Sequence, residues 1–184
     1  MEVEILCFGY ADQYTIDYSR IYGLKTVVFR QSCIYGTNQF GVEDQGWLAW
    51  FTIAALLNKP ITIYGTGKQV RDVLFVHDVI RLYDLAIENQ DIVNGKAYNV
   101  GGGPSNTISL VEFFEHMAEK YDLKPTLLKG DTRPGDQPIF VADIRRAERE
   151  LGWKPQFNVE QGIAAMHGWM QDNRGDIVKV FNSK

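Results

Sequence analysis

Two arginines sit in settings suited to holding a multiply charged anion. Arg71 ends the run Gly65-Thr-Gly-Lys-Gln-Val-Arg71, followed by Asp72, and Arg133 opens Arg133-Pro-Gly-Asp136. A guanidinium presents a planar fork of donors that pairs bidentately with phosphate oxygens, so two fixed ones suit a diphosphate-linked ligand. Each also has a plain reading. Arg71 beside Asp72 reads as an exposed ion pair on a hairpin, which contributes little stability. Arg133-Pro-Gly-Asp136 reads as a turn, because Pro presets one dihedral and Gly frees another.

Other chemistry-bearing residues give weaker signals. Gly101-Gly-Gly-Pro-Ser-Asn106 imitates a phosphate-cradling loop but lacks the spacing of its glycines and the downstream acidic residue. His77, His116 and His167 stand apart, without cysteine or carboxylate at ligand spacing, so no metal site is expected. Cys33 has no His or Lys beside it to make a thiolate, which favours packing over nucleophilic work. Trp47, Trp50 and Phe51 recur at helical spacing, a pattern commoner in a core than in a ligand platform. No catalytic residue is assigned.

The elements that must position these residues alternate between helix and strand. Residues 11–22 have Tyr14, Tyr18 and Ile21 near helical spacing, with Gly23 as a stop. Thr26-Val-Val-Phe29 has the composition of a buried parallel strand. A helix over 43–57 has one broad apolar face and ends before Pro60. Ile61-Thr-Ile-Tyr64 and the run from Val70 to Val76 read as a hairpin turned by Gly65-Thr-Gly67. Helix is expected over 78–88, strand at Ala97-Tyr-Asn-Val100, and a helix from a Ser109/Glu112 capping box to about Tyr121. An extended stretch near 125–128 and helices over 143–151 and 159–172 complete the series.

Length and composition bound the possibilities. With 184 residues, 45% hydrophobic and 23% charged, the chain can bury an ordinary core as a single compact unit. A net charge of -4 supplies no basic field for nucleic acid, so no nucleic-acid partner is expected. Two cysteines cannot make a disulfide scaffold, and no apolar run approaches the ~20 residues of a membrane span. A cytoplasmic protein without membrane contact is the expectation.

Taken together, Val28-Phe-Arg-Gln-Ser-Cys-Ile-Tyr-Gly36, the Ile63 to Asp72 stretch, Tyr98-Asn-Val-Gly101, Arg133-Pro-Gly-Asp136, Ala142-Asp143 and Leu151-Gly-Trp153 resemble a known family in order and spacing. The resemblance is to the carboxyl-terminal half of an extended short-chain dehydrogenase/reductase, of the NAD-dependent nucleotide-sugar epimerase/dehydratase kind. Within it, Gln39-Phe40 and Asp44-Gln-Gly-Trp47 with Trp50 and Phe51 are most similar to the CDP-sugar 2-epimerases. The implied fold is α/β: the remnant of a Rossmann-type parallel sheet over 10–36, then mainly a small α/β substrate-binding domain over 37–184.

That resemblance also implies roles. Arg71 and Arg133 would bind diphosphate or ribose, Thr62, Ile63 and Tyr64 would line the base, and Asp136 would accept from a ribose hydroxyl. Ser32 would sit beside the nicotinamide of NAD, and Cys33, Gln45 and Trp47 beside the sugar, since ligands of open α/β sheets collect beyond strand carboxyl ends. The implied ligand is a nucleotide-diphosphate sugar, CDP-linked by preference, and a homo-oligomer is expected. The family's Gly-rich NAD loop is not found in these residues, and the positions of its Tyr-x-x-x-Lys pair fall on Glu4 and Phe8. These 184 residues are therefore expected to bind no NAD and to turn over no substrate alone, as a truncated reading frame would. The alternatives are a non-catalytic self-associating protein, or one half of a split sugar dehydratase or epimerase.

Overall fold

A buried helix and a short central strand organise the molecule. The computed structural model describes the backbone of residues 2–182 and the side chains of residues 9–181. Helix α1 (Glu2–Tyr22) leads to strand β1 (Val27–Gln31) and, after Ser32, to β2 (Cys33–Tyr35). Both the Glu4 and Phe8 positions fall in α1, and their side chains lie outside the described residues.

Helix α2 (Trp47–Leu56) is shorter than the expected 43–57 and buries more of itself. Leu48, Ala49, Phe51, Thr52, Ile53, Ala54, Ala55 and Leu56 are all buried, so it is enclosed rather than one-faced. Its single buried hydroxyl, Thr52 Oγ1, donates to Leu48 O at 2.8 Å. Residues 42–45 instead form a bridged turn between Val42 and Gln45.

The expected hairpin is not formed. Strand β3 (Ile61–Tyr64) does not pair with β4 (Val70–Phe75); it runs parallel to β7 (Leu127–Gly130), with Ile61 opposite Leu127 and Tyr64 opposite Gly130. The 65–69 connection carries Gly65 and Gly67 at φ 74°, and Gln69 Nε2 caps the Tyr64 carbonyl at 2.7 Å. A hairpin partner would have supplied that bond from its backbone. Gly130 has its own reason to lack a side chain, because a Cβ there would press on the Tyr64 ring.

Strand β4 is the hub. Its carboxyl end pairs in parallel with β2, while Val70 to Asp72 pair with antiparallel β6 (Thr107–Ser109) and Val70 and Arg71 with β8 (Ile139–Phe140). After β4 come α3 (Val76–Glu88), the short α4 (Gln90–Val93) and β5 (Lys96–Val100), which lies parallel to β1. Helix α5 (Leu110–Tyr121) starts at the expected box, Ser109 Oγ accepting from Glu112 N while Glu112 accepts from Ser109 N. Then follow α6 (Arg145–Leu151), α7 (Val159–Asp172) and α8 (Arg174–Asn182), the last not foreseen.

Two apolar cores result. The larger joins α2, β4, α5, α7 and α8 through Leu48, Ile53, Phe75, Phe113, Met117, Ile163, Met166 and Ile177. The smaller joins α3, β5 and α6 through Leu82, Val100, Ala147 and Trp153, with Val27 and Phe29 of β1 against it. Asp78 ties the smaller core to the next segment: its carboxylate accepts from Gln156 N (2.9 Å), Phe157 N (3.1 Å) and Arg81, and its carbonyl accepts from Trp153 Nε1 (2.9 Å). A buried carboxylate is tolerated only with such partners. The result is a mixed α/β molecule whose β1/β5, β2/β4 and β3/β7 pairs are all parallel.

Candidate functional site

Successive residues of β4 point opposite ways, and this divides the chemistry. Arg71 turns into a cavity of about 430 Å³ whose walls also carry Trp47, Thr62, Tyr64, Arg133 and Asp136. Asp72 turns to the other side and is fully buried. The exposed Arg71–Asp72 ion pair considered from sequence is therefore absent; the partner of Arg71 is Asp136.

Arg71 is rigidly held. Its NH2 donates to Asp136 Oδ1 at 2.7 Å, and its NH1 donates to Gln137 O at 2.7 Å and Val70 O at 2.9 Å. The other oxygen of Asp136 accepts from Gln69 Nε2 at 2.8 Å. Arg133 is presented differently, its guanidinium stacked 3.9 Å from the Tyr64 ring centroid with NH2 3.3 Å from Asp44 Oδ1. Tyr64, with Asp44 and Glu43 nearby, holds it still more firmly protonated. One arginine is a fixed wall and the other a half-exposed arm over an aromatic plate.

Alternation along β3 sorts the three residues expected to line the base. Thr62 and Tyr64 line the cavity, whereas Ile63 packs against the larger core. Strand periodicity thus leaves Thr62 and Tyr64 to present side chains to the cavity. Sequence reasoning missed Glu43, Phe51, Gln69 and Gln137, which line the same cavity. Gln69 was within reach, because it stands two residues before Arg71 and therefore on the same side of an extended chain.

Ser32, Cys33, Gln45 and Trp47 line a second cavity of about 260 Å³, together with Gln31, Gln39 and Tyr35. Trp47 and Gly46 line both cavities, so the indole stands where they meet. Ser32 Oγ donates to Asp72 Oδ1 at 2.5 Å, and Asp72 Oδ2 accepts from Gly103 N at 3.2 Å. Burial pushes the Cys33 thiol up from its ordinary value, against the opposing pull of the Trp47 indole and Arg71. It is a neutral thiol near neutral pH.

The Gly101-Gly-Gly103 run is a packing device. A Cβ at Gly101 would overlap Asp72 Oδ2 and Ala142, and one at Gly102 would overlap the Val73 carbonyl and Asn106. All three glycines are buried. The second cavity is also smaller than the roughly 300 Å³ at which ligand pockets begin. No group of three or more His, Cys, Asp or Glu able to hold a metal is present among the described residues. None of their helices is long and apolar enough to cross a membrane.

Comparison with known proteins agrees with this geometry. Residues 9–101 match the NAD dependent epimerase/dehydratase family. CDP-paratose 2-epimerase of Salmonella typhi is 43% identical over 166 residues, covering 88% of this chain and 49% of that protein. UDP-glucose 4-epimerase of Thermotoga maritima, solved with UDP-glucose, superposes with a TM-score of 0.77 at 28% identity, over 89% of this chain and 51% of that one. UDP-glucuronic acid 4-epimerase of Bacillus cereus, solved with UDP-glucuronic acid and NAD, shares the fold at a TM-score of 0.73 and 24% identity, over 84% and 48%. The chain spans about half the length of these relatives. A matched family model over residues 9–101, half of the chain, places it in the NAD dependent epimerase/dehydratase family.

Proposed function

We propose that these residues form the nucleotide-sugar-binding part of an NAD-dependent sugar epimerase, with a CDP-linked sugar preferred. The observation that carries the reading is that Arg71 and Arg133, 62 positions apart in sequence, line one cavity with Thr62, Tyr64 and Asp136. In this reading the diphosphate lies between the two guanidiniums, Asp136 accepts from the ribose, and the sugar passes Trp47 toward Cys33 and Gln45. The 43% identity to CDP-paratose 2-epimerase supports the cytidine preference. NAD is not held by these residues alone, because their one clustered glycine run is packed shut against Asp72 and Val73.

Calorimetric titration of the 184-residue chain tests this. CDP and a CDP-sugar should bind, UDP more weakly, and NAD not at all; Arg133→Ala should weaken CDP by about tenfold. Absence of binding by both CDP- and UDP-linked sugars would remove the reading, and tight NAD binding would remove its cofactor clause.

Self-association is a second reading with its own observation. Helix α1 exposes Tyr10, Tyr14, Ile21 and Tyr22, each at least 60% accessible, and β1 pairs only with β5 among the described strands. Such an apolar stripe beside an open strand edge favours a homo-oligomer. Equilibrium sedimentation should show a dimer or larger species that Tyr14→Lys with Tyr22→Lys shifts toward monomer.

A further inference from the structure

A third cavity, of about 520 Å³, shares no lining residue with the two described above and lies between the β1/β5 strand pair and α6. Four of its lining residues are arginines, Arg30, Arg145, Arg146 and Arg149, and the only acidic one is Asp143. This is a local basic concentration in a chain of net charge -4.

From this juxtaposition we propose that the cavity is a second anion site, separate from the Arg71/Arg133 cavity, which takes a ligand bearing two or more phosphate groups. Its arginines are held in place before any ligand arrives. Arg146 donates from NH1 to Ala97 O at 2.9 Å and from Nε to Glu150 at 3.0 Å, and its guanidinium lies 5.0 Å from the Tyr98 ring centroid. Arg145 grips Asp143 in a fork, at 2.8 and 2.6 Å. Arg30 is steadied by Asp12 of α1 at 2.5 Å.

Carboxylates are too few to neutralise this set. Glu150 already accepts from Lys96, Tyr98 and Arg146, so Arg149, at 3.6 Å, has the weakest claim on it. Arg149 and Arg145 are also the most exposed, at 70% and 83%. A phosphate oxygen pair can therefore reach the Arg149 fork directly, and that of Arg145 by displacing Asp143. Asp143 is held ionised by Arg145, its carboxyl lowered to about 2, and Asp143, Asp12 and Glu150 together still fall one short of the four arginines. Guanidinium forks match phosphate geometry better than a point charge does, which selects phosphates over simple anions.

The test titrates inorganic pyrophosphate calorimetrically into three folded chains: the natural sequence, Arg133→Ala, and Arg145→Ala with Arg149→Ala. The site predicts that the Arg133→Ala chain still binds one pyrophosphate, and that the double variant loses this event by about tenfold or more. Raised salt should weaken it, as expected of exposed charges. Circular dichroism and melting should be unchanged in the double variant, since both side chains are exposed. Two results would overturn the proposal: pyrophosphate binding lost in Arg133→Ala and kept in the double variant, or displacement by equimolar sulfate, which would reveal a nonspecific field. Failure of CDP to bind anywhere would leave this outcome untouched.

Discussion

The Arg71 guanidinium reaches across 65 positions of sequence to donate to Asp136 at 2.7 Å, and the same carboxylate takes a second bond from Gln69. This pair ties β4 to the loop that carries Arg133, so the two arginines differ in what they do for the unliganded protein. Arg71→Ala leaves Asp136 Oδ1 and Gln137 O without the Arg71 donor and should destabilise by about 1–3 kcal/mol. Arg133→Ala removes a half-exposed arm and should stay within about 0.5 kcal/mol. Urea unfolding of the two variants measures the difference.

Two glycines should tolerate alanine differently for different reasons. At Gly102 the new methyl would strike the Val73 backbone and Asn106, neither of which can move cheaply, so Gly102→Ala should cost about 2–3 kcal/mol. At Gly152 space is open and only the φ of 62° opposes a side chain, so Gly152→Ala should cost about 1–2 kcal/mol. Thermal melts of both would show the larger fall for Gly102.

Asp78 is the staple between α3 and the 153–157 segment. Asp78→Ala leaves two partly buried backbone donors and Arg81 without their acceptor and should cost about 3 kcal/mol, whereas Asp78→Asn keeps one acceptor and should cost less. Loss of the Trp153 near-ultraviolet signal before global unfolding would mark the segment as the part released.

Acid should reveal Glu150. Hydrogen bonds from Lys96, Tyr98 and Arg146 lower its carboxyl to about 2, against about 4.3 in an unfolded chain. A folded value below the unfolded one gives a contribution that is complete above about pH 5 and fades as pH falls toward about 2. Glu150→Gln should therefore flatten the stability curve in that acid window and leave its shape above pH 6 unchanged. Melting temperatures across pH 3 to 7, taken at roughly constant ionic strength, read this directly.

Features encoded locally were legible in the sequence. The Ser109/Glu112 box is closed within four residues, and α5 begins and ends where its pattern puts it. The α7 span was equally plain, with Asn158 and Gln161 making a second box. Arg71, Arg133 and Asp136 were also identifiable before folding, as residues that meet in one cavity. What escaped was set by distance along the chain. The glycines at 65 and 67 suggested a hairpin, yet the partner of β3 begins at Leu127, a choice no local propensity records. Asp72 looked like the neighbour of Arg71 in function as well as in position, but strand alternation sends it to Ser32 and Gly103. Helix α8 has a mixed composition, and its docking depends on long-range bonds such as Arg174 NH2 to Leu56 O and Lys59 Nζ to Phe181 O.

Strand β3 shares its ladder with β7 and none with β4. The wall bearing Thr62 and Tyr64 is consequently a small panel, latched to the wall bearing Arg71 by the Gln69 amide. Lineages could exchange or resize that panel, and with it one side of the cavity, without disturbing the register of the central strands.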